Sequence, residues 1–258
     1  LHKIIPSLLI SVPRFFDECY DGIEGQINNS SPLKRAIATW ALDSGQRAAA
    51  AKREGRGVGA VENFHCRIAD TVVLNKLRQV MGGEIKFLVS GSAPISNWLL
   101  ERFHGMGLLV LEAYGLSENV TPIAINRVEN FRFGSVGLPM QSNEVKIADD
   151  GEVLVKGDGV FAGYLGAPDS EAGVSSAGFL HTGDLGEFDA DGFLRLIGRK
   201  SEIFKTSTGR KVAPVPIEGK LKRLQDVDYA VVLGAGKKMT VAILAPSMEI
   251  EKDLSDDQ

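Results

Sequence analysis

Cysteine and histidine are scarce in this chain. Cys19 and Cys66 form no CxxC pair, and the four histidines are scattered at positions 2, 65, 104 and 181. That spacing excludes a disulfide framework and argues against a zinc cluster, and it points to a reducing compartment. Long apolar runs are missing as well. None approaches the roughly 20 residues a membrane-crossing helix needs, and no secretory leader is legible. Neither sign of charge dominates: 29 basic residues face 33 acidic ones, for a net charge of −4. No global field therefore draws in nucleic acid or anionic lipid, and any site for a polyanion must be local. The opening LHKIIPSLLISVP lacks a methionine and reads as the cut edge of a longer pattern.

What is present is an ordinary globular composition, 44% hydrophobic and 24% charged over 258 residues. This is enough chain for one large domain or two smaller ones. Residues 1–80 read as mostly helical. Ser11 and Pro13 resemble a helix start, and Phe15, Cys19, Ile23 and Ile27 recur at helical spacing. Ser31-Pro32 opens a second helix, with Leu33, Ile37, Trp40 and Ala41 on one face. It ends in KREGRGVG, a basic turn that reads as solvated, with contact to an anionic surface or phosphate as the second reading. Ala69, Val73, Leu77 and Val80 mark a third helix, stopped by Gly82-Gly83.

From Glu84 the texture changes to strands, turns and short helices. EIKFLVS and LLVLEA read as strands on either side of a helix capped by Ser96, which suggests a parallel sheet with functional loops at its strand ends. EVKIA and EVLVKG alternate around ADDG as a hairpin, and DLGEFDADGFLRLIGR makes a second, turning at Asp189–Gly192. After Arg199 come EIFKT, the polar loop STGRK, a helix near Pro216–Leu224 and two strands, the pattern of a small α+β domain.

Three stretches carry candidate chemistry. The first joins SGSAP to LEAYGLSEN. Gly91 and Gly115 permit close approach of a flat ligand, Tyr114 can stack on a purine, Ser117 offers a hydroxyl to phosphate, and Glu118 is a hard oxygen ligand suited to Mg²⁺. The second is HTGD, followed by Arg199. An aspartate beside glycine can accept hydrogen bonds from both ribose hydroxyls, and the arginine can add a contact; a simple turn cap is the competing reading. The third is GRKSEIFKTSTGRKVAPVPIE, where Lys205, Arg210 and Lys211 surround a Ser/Thr/Gly loop able to swing over an anion or to sit as a basic surface hairpin.

In this order the stretches resemble the adenylate-forming superfamily, which includes acyl-CoA synthetases, luciferases and peptide-synthetase adenylation domains. YGLSE, GEVLVKGDGVFAGYL at 151–165, HTGDL and the GRK hinge all match its motifs. SVPRFFDECYDGI, ATWALDSG and LNKLRQVMGGEIKFLVSGSAP look like the long-chain fatty-acid CoA ligase branch. The resemblance implies an α/β fold: part of a large multi-layer α/β N-terminal domain over 1–199 (helical 1–83, α/β 84–140, β-rich 141–199). An incomplete, mobile α+β domain would follow over 200–258. It implies that Gly91, Ser92 and Ala93 line the adenine and acyl pocket, and that Tyr114, Gly115 and Leu116 bracket the nucleotide. Ser117 would touch phosphate, Glu118 hold Mg²⁺, Asp184 and Arg199 hold the ribose, and Lys205 reach the adenylate. Gly209 would border the CoA channel, and Lys200 and Ser201 form the hinge.

The implied substrates are a long-chain fatty acid, ATP and CoA, with Mg²⁺ as cofactor and no nucleic acid. The implied location is cytoplasmic with peripheral membrane contact. A fatty-acyl-AMP ligase, an acyl-ACP synthetase or a truncated nucleotide-binding protein are the alternatives. The chain departs from the family pattern at three places. The phosphate loop would precede Leu1, a catalytic lysine would follow Gln258, and Ser201 stands where aspartate or lysine is usual. The first two departures carry the expectation that these 258 residues alone adenylate poorly.

Overall fold

In the computed structural model of the chain, residues 6–166, 168, 173–222, 224 and 227–246 are described; the acidic tail 249–258 lies outside them. The chain divides into two compact units, Leu1–Met140 and Gln141–Gln258. That division falls inside the span the sequence assigns to the large domain.

The first unit begins with strand β1 (Leu8–Ser11) and helices α1 (Pro13–Asn28) and α2 (Pro32–Arg53). Both helices carry proline in the first turn, where its missing N–H would be unpaired in any case. Helix α3 (Ala60–Ala69) runs through a π turn at Asp70–Leu74 into α4 (Asn75–Val80), so the predicted third helix starts earlier and is locally unwound. Strand β2 (Phe87–Ser90), helix α5 (Asn97–Gly105), and strands β3 (Val110–Leu116), β4 (Asn119–Ile125) and β5 (Leu138–Pro139) complete the unit. The Ser96 hydroxyl caps α5 by accepting from the Leu99 N–H at 3.4 Å, as its sequence position suggests.

The sheet has the order β1-β2-β3-β4-β5. Its first three strands are parallel, and the last two turn antiparallel. The predicted parallel sheet is therefore mixed, because Ser117 and Glu118 close a two-residue hairpin that returns the chain alongside β3. The core gathers helical residues against one sheet face: Phe16, Leu99, Leu100, Phe103 and Met106 meet Leu88 and Val110, all fully buried. Phe16 and Phe103 pack edge to face with centroids 5.7 Å apart.

The buried face of α2 takes in only part of that apolar set. Leu33 is 72% exposed and Ile37 is also exposed, while Ala41, Leu42, Ser44, Gly45, Ala48 and Ala51 are buried. The reason is a close helix crossing. A side chain on Gly45 would strike the Gly105 carbonyl of α5, and one on Gly105 would meet the backbone of Gln46. Small residues let α2 and α5 approach, and the larger apolar residues lie off the contact.

The second unit is built on an antiparallel meander of β6 (Asn143–Ile147), β7 (Glu152–Gly157), β8 (Leu180–Phe188) and β9 (Leu194–Arg199), with Val153, Val155 and Leu194 at its centre. Both predicted hairpins form at the expected turns. Beyond them lie a two-residue ladder of β10 (Phe204–Lys205) with β11 (Lys211–Val212), helix α6 (Pro214–Leu221), and the pair β12 (Val227–Leu233) and β13 (Val241–Pro246).

Truncating Phe103 removes a fully buried ring from the helix–sheet core, whereas Phe64 is 61% exposed. Phe103→Ala is expected to cost about 3–5 kcal/mol and Phe64→Ala less than about 0.5 kcal/mol. Urea unfolding of the two variants checks this; equal losses would mean that Phe103 is not where the core is densest.

Candidate nucleotide site

The predicted site residues fall in two groups, one in each unit. In the first unit, Gly91–Ala93 follow the carboxyl end of β2, and Tyr114–Glu118 end β3 and turn into β4. Because β2 and β3 are neighbouring parallel strands with Ser90 opposite Glu112, the two segments share one edge of the sheet. Backbone closeness is direct: a side chain on Gly91 would lie 3.4 Å from the Ala113 carbonyl oxygen. Ser92 has φ of 70°, alone among the described non-glycine residues in that region, and its side chain is exposed. Such a conformation costs on the order of 1–3 kcal/mol and persists where surroundings dictate it, often beside a ligand. Tyr114 is buried within the strand, Gly115 and Ser117 are exposed, and Glu118 is half-buried at the hairpin turn.

A single carboxylate at a turn suits Mg²⁺, which takes one or two protein carboxylates and fills its remaining positions with phosphate oxygens and water. Among the described residues no group of three or more His, Cys, Asp or Glu is placed to cage a metal. The donor set thus fits an ion brought in with phosphates better than a resident structural one.

In the second unit the structure brings Asp184 and Arg199 together. They sit directly opposite on β8 and β9, with Arg199 Nε 2.9 Å from Asp184 Oδ1. Asp184 is buried while Arg199 is about half exposed. The register explains why Asp184 stands out from the ladder. Leu154 pairs with His181 and Glu152 pairs with Leu185, so β8 spends two extra residues between them and Thr182–Asp184 bulges. Gly183 meets the bulge's demand with φ of +70°.

The groups of that bulge are each answered. The Thr182 hydroxyl donates to the Val153 carbonyl at 2.7 Å and accepts from the Asp184 N–H at 3.1 Å. Arg199 Nη1 donates to the Thr182 carbonyl at 3.1 Å, and the Lys200 N–H donates to the Gly183 carbonyl at 2.8 Å. The Gly183 N–H donates to Glu152 Oε1 at 2.9 Å. Lys205 is exposed on β10, and Gly209 has φ of +82° in the turn between β10 and β11. Lys200 and Ser201 follow β9; Ser201 is exposed, and Lys200 is held by Asp150 and Glu152 at 2.6 and 3.0 Å.

Two acidic residues escaped assignment from sequence. Glu152 reads there only as part of a strand motif, yet it is 5% exposed and accepts hydrogen bonds from Gly183 and Lys200, with His181 Nδ1 3.2 Å away. Burial pulls its pKa upward, but the Lys200, His181 and Gly183 hydrogen bonds outweigh that and hold the carboxyl below its ordinary value. Glu112 lies inside LEAYGLSEN. Burial raises its pKa to about 8, opposed only by a hydrogen bond from the Gly134 N–H. Its Oε2 and the Ser90 hydroxyl across the register have no hydrogen-bond partner among the described residues. Polar residues in otherwise apolar strands were the available signal.

Comparison with known proteins gives the family. The chain belongs to the AMP-binding enzyme family: the AMP-binding enzyme model matches residues 1–165, and the AMP-binding enzyme C-terminal domain model matches 202–258. It is 37% identical over 239 residues to long-chain-fatty-acid–CoA ligase FadD15 of Mycobacterium bovis, covering 93% of this chain and 39% of that protein. It is 34% identical over 266 residues to long-chain-fatty-acid–CoA ligase 6 of Homo sapiens, covering 97% of this chain and 36% of that protein. The chain thus spans less than half the length of these curated relatives. Among solved structures, O-succinylbenzoate coenzyme A synthetase from Bacillus subtilis, in complex with ATP and magnesium ion, superposes with a TM-score of 0.57 at 30% identity. That match covers 68% of this chain and 40% of the other.

The raised pKa of Glu112 has a definite consequence. Above about pH 4.5 the unfolded chain loses this proton while the folded chain keeps it up to about 8. The stabilising difference is complete below the unfolded value and is lost as pH rises through the folded one, on the order of a few kcal/mol in all. Glu112→Gln is expected to flatten the fall in melting temperature between pH 5 and 8 and to raise it at pH 8. An unchanged slope would show that the carboxyl ionises normally.

Proposed function

We propose that this chain carries the central part of an ATP-dependent acid–thiol ligase acting on long-chain fatty acids. The relatives' names support the substrate class. The bulged Thr182–Asp184 segment, with Asp184 paired to Arg199, is the observation that carries the nucleotide reading. In the first half-reaction a fatty carboxylate oxygen bonds to the α-phosphorus of ATP as the bond to pyrophosphate breaks, giving acyl-AMP. In the second, the CoA sulfur, having given up its proton, bonds to the acyl carbon while the acyl–oxygen bond breaks and AMP leaves.

Neither step needs a nucleophile from the protein, so the residues' work is placement and charge stabilisation. Asp184 accepts hydrogen bonds from the ribose hydroxyls, and Arg199 fixes its carboxylate. Gly91, Ser92 and Ala93 line the adenine and acyl pocket, with Tyr114, Gly115 and Leu116 along the base. Ser117 donates to phosphate. Glu118 is the residue that would hold Mg²⁺, which supplies neutralising charge to the phosphates when bound. Lys205 brings a cation to the adenylate, and Gly209 borders the thiol's path. Lys200 and Ser201 lie where residues 1–199 join a mobile domain, a division supported by the C-terminal family match starting at 202.

Among the described residues no helix is long and apolar enough to cross a membrane. A cytoplasmic position with peripheral membrane contact is proposed from the acyl substrate.

Calorimetric titration of AMP into the chain tests the ribose assignment. Asp184→Ala is expected to weaken binding at least about tenfold, the loss of charge-assisted hydrogen bonds worth roughly 1.5–3 kcal/mol; unchanged affinity would remove Asp184 from the site. For the whole protein, incubation with fatty acid, ATP and CoA should yield acyl-CoA. Acyl-AMP that accumulates without thioester would move the acceptor from CoA to a carrier protein.

A further inference from the structure

Glu152 touches no ribose or phosphate in the reading above, yet its buried carboxylate accepts from the Gly183 N–H inside the ribose segment and from Lys200, with His181 Nδ1 3.2 Å away. We propose that Glu152 is a positioning residue for nucleotide binding: through the Gly183 N–H it sets the bulge that presents Asp184. This rests on Asp184 being the ribose-binding carboxylate.

The argument begins with the bulge. Inserting two residues into β8 withdraws Gly183 from the ladder opposite β7, and its N–H then needs an acceptor that the neighbouring backbone does not supply. Glu152 Oε1 supplies it at 2.9 Å, one residue before Asp184. Losing that acceptor would leave a donor without its partner and free the Gly183 peptide to rotate. Asp184 Oδ1 would then swing relative to Arg199 Nε. Glu152 is itself placed from three directions. It starts β7, Lys200 Nζ holds its Oε2 at 3.0 Å, and His181 Nδ1 lies 3.2 Å from the same oxygen. Asp150 steadies the arrangement twice, by accepting from the Glu152 N–H at 3.2 Å and by pairing with Lys200 at 2.6 Å. Every member of this set is fixed by another, which is what precise placement of a ligand group requires.

Reach and charge can be separated by substitution. Glu152→Gln keeps an oxygen at the distance of Oε1 but removes the charge that faces Lys200. Glu152→Asp keeps the charge but draws the oxygens back by one methylene, out of range of the Gly183 N–H. The readout is ribose discrimination, the ratio of affinities of the 258-residue chain for AMP and for 2′,3′-dideoxy-AMP, measured by calorimetry. A residue that merely stabilises the sheet would shift melting temperature or both affinities together and leave the ratio alone.

The unsubstituted chain is expected to prefer AMP by about tenfold or more. Glu152→Ala and Glu152→Asp should bring the ratio to within about twofold of one, and Glu152→Gln should keep most of it. If Glu152→Ala fails to fold, the Asp and Gln pair still decides. Loss of discrimination on Asp184→Ala with retention on Glu152→Asp would overturn this inference alone. Loss in Gln with retention in Asp would also overturn it, making charge the operative property. An unsubstituted chain that does not bind AMP, or does not discriminate, would overturn the ribose reading and this inference with it.

Discussion

A carboxylate can stay ionised out of water only if donors surround it, and Glu152 shows what such a requirement organises. Its two oxygens take a backbone N–H from β8 and the ammonium of the residue just past β9, with His181 close by. The hairpins β6–β7 and β8–β9 are local and would form from their turns. What joins them at this end is a side chain whose burial is tolerable only when the Thr182–Asp184 bulge and Lys200 are both in place. Bulge and buried charge therefore stabilise each other. Either alone would leave an orphan group costing about 1–3 kcal/mol.

The first unit depends on a different constraint, the reversal of strand direction at Ser117–Glu118. Three parallel strands need helical crossovers, and α1 to α5 supply them while covering one sheet face. The tight return into β4 then closes the far edge with antiparallel pairing and leaves Gly91–Ala93 and Tyr114–Glu118 on a shared rim. Strain at Ser92 sits on that rim, and the surrounding strand ends hold it. A carboxyl at Glu112, kept neutral by burial, lies just beneath.

Legibility in the sequence followed the range of each signal. Pro13, Pro32 and Ser96 mark helix starts with local chemistry, and the ADDG and DADG turns fix both hairpins. All of these were readable and are found where they were read. Strand β1 was missed because four residues beside a proline-started helix carry little periodicity. Strand β4 was missed because its pairing depends on a turn whose residues, Ser117 and Glu118, were read for ligand chemistry. The burial of α2 was not legible, because hydrophobicity favours Leu33 and Ile37, whereas the crossing with α5 selects the smallness of Gly45, Ala48 and Ala51. Motif likeness marked Asp184 and Arg199, and the structure sets them face to face. The role of Glu152 was not legible, since it arises from a two-residue register shift between strands nearly thirty residues apart.

The same network bears on where the chain can pivot. Lys200 is tied by its main chain to the Gly183 carbonyl and by its side chain to Asp150 and Glu152. Rotation starting before Lys200 would break a backbone hydrogen bond and expose a buried carboxylate together. Rotation starting at Ser201, which is exposed, leaves both intact. A neutral serine at that point adds no competing charge to the cluster of Asp150, Glu152 and Lys200. A proposed hinge therefore fits better after Lys200, which these bonds tie to the β7–β8 framework, than before it.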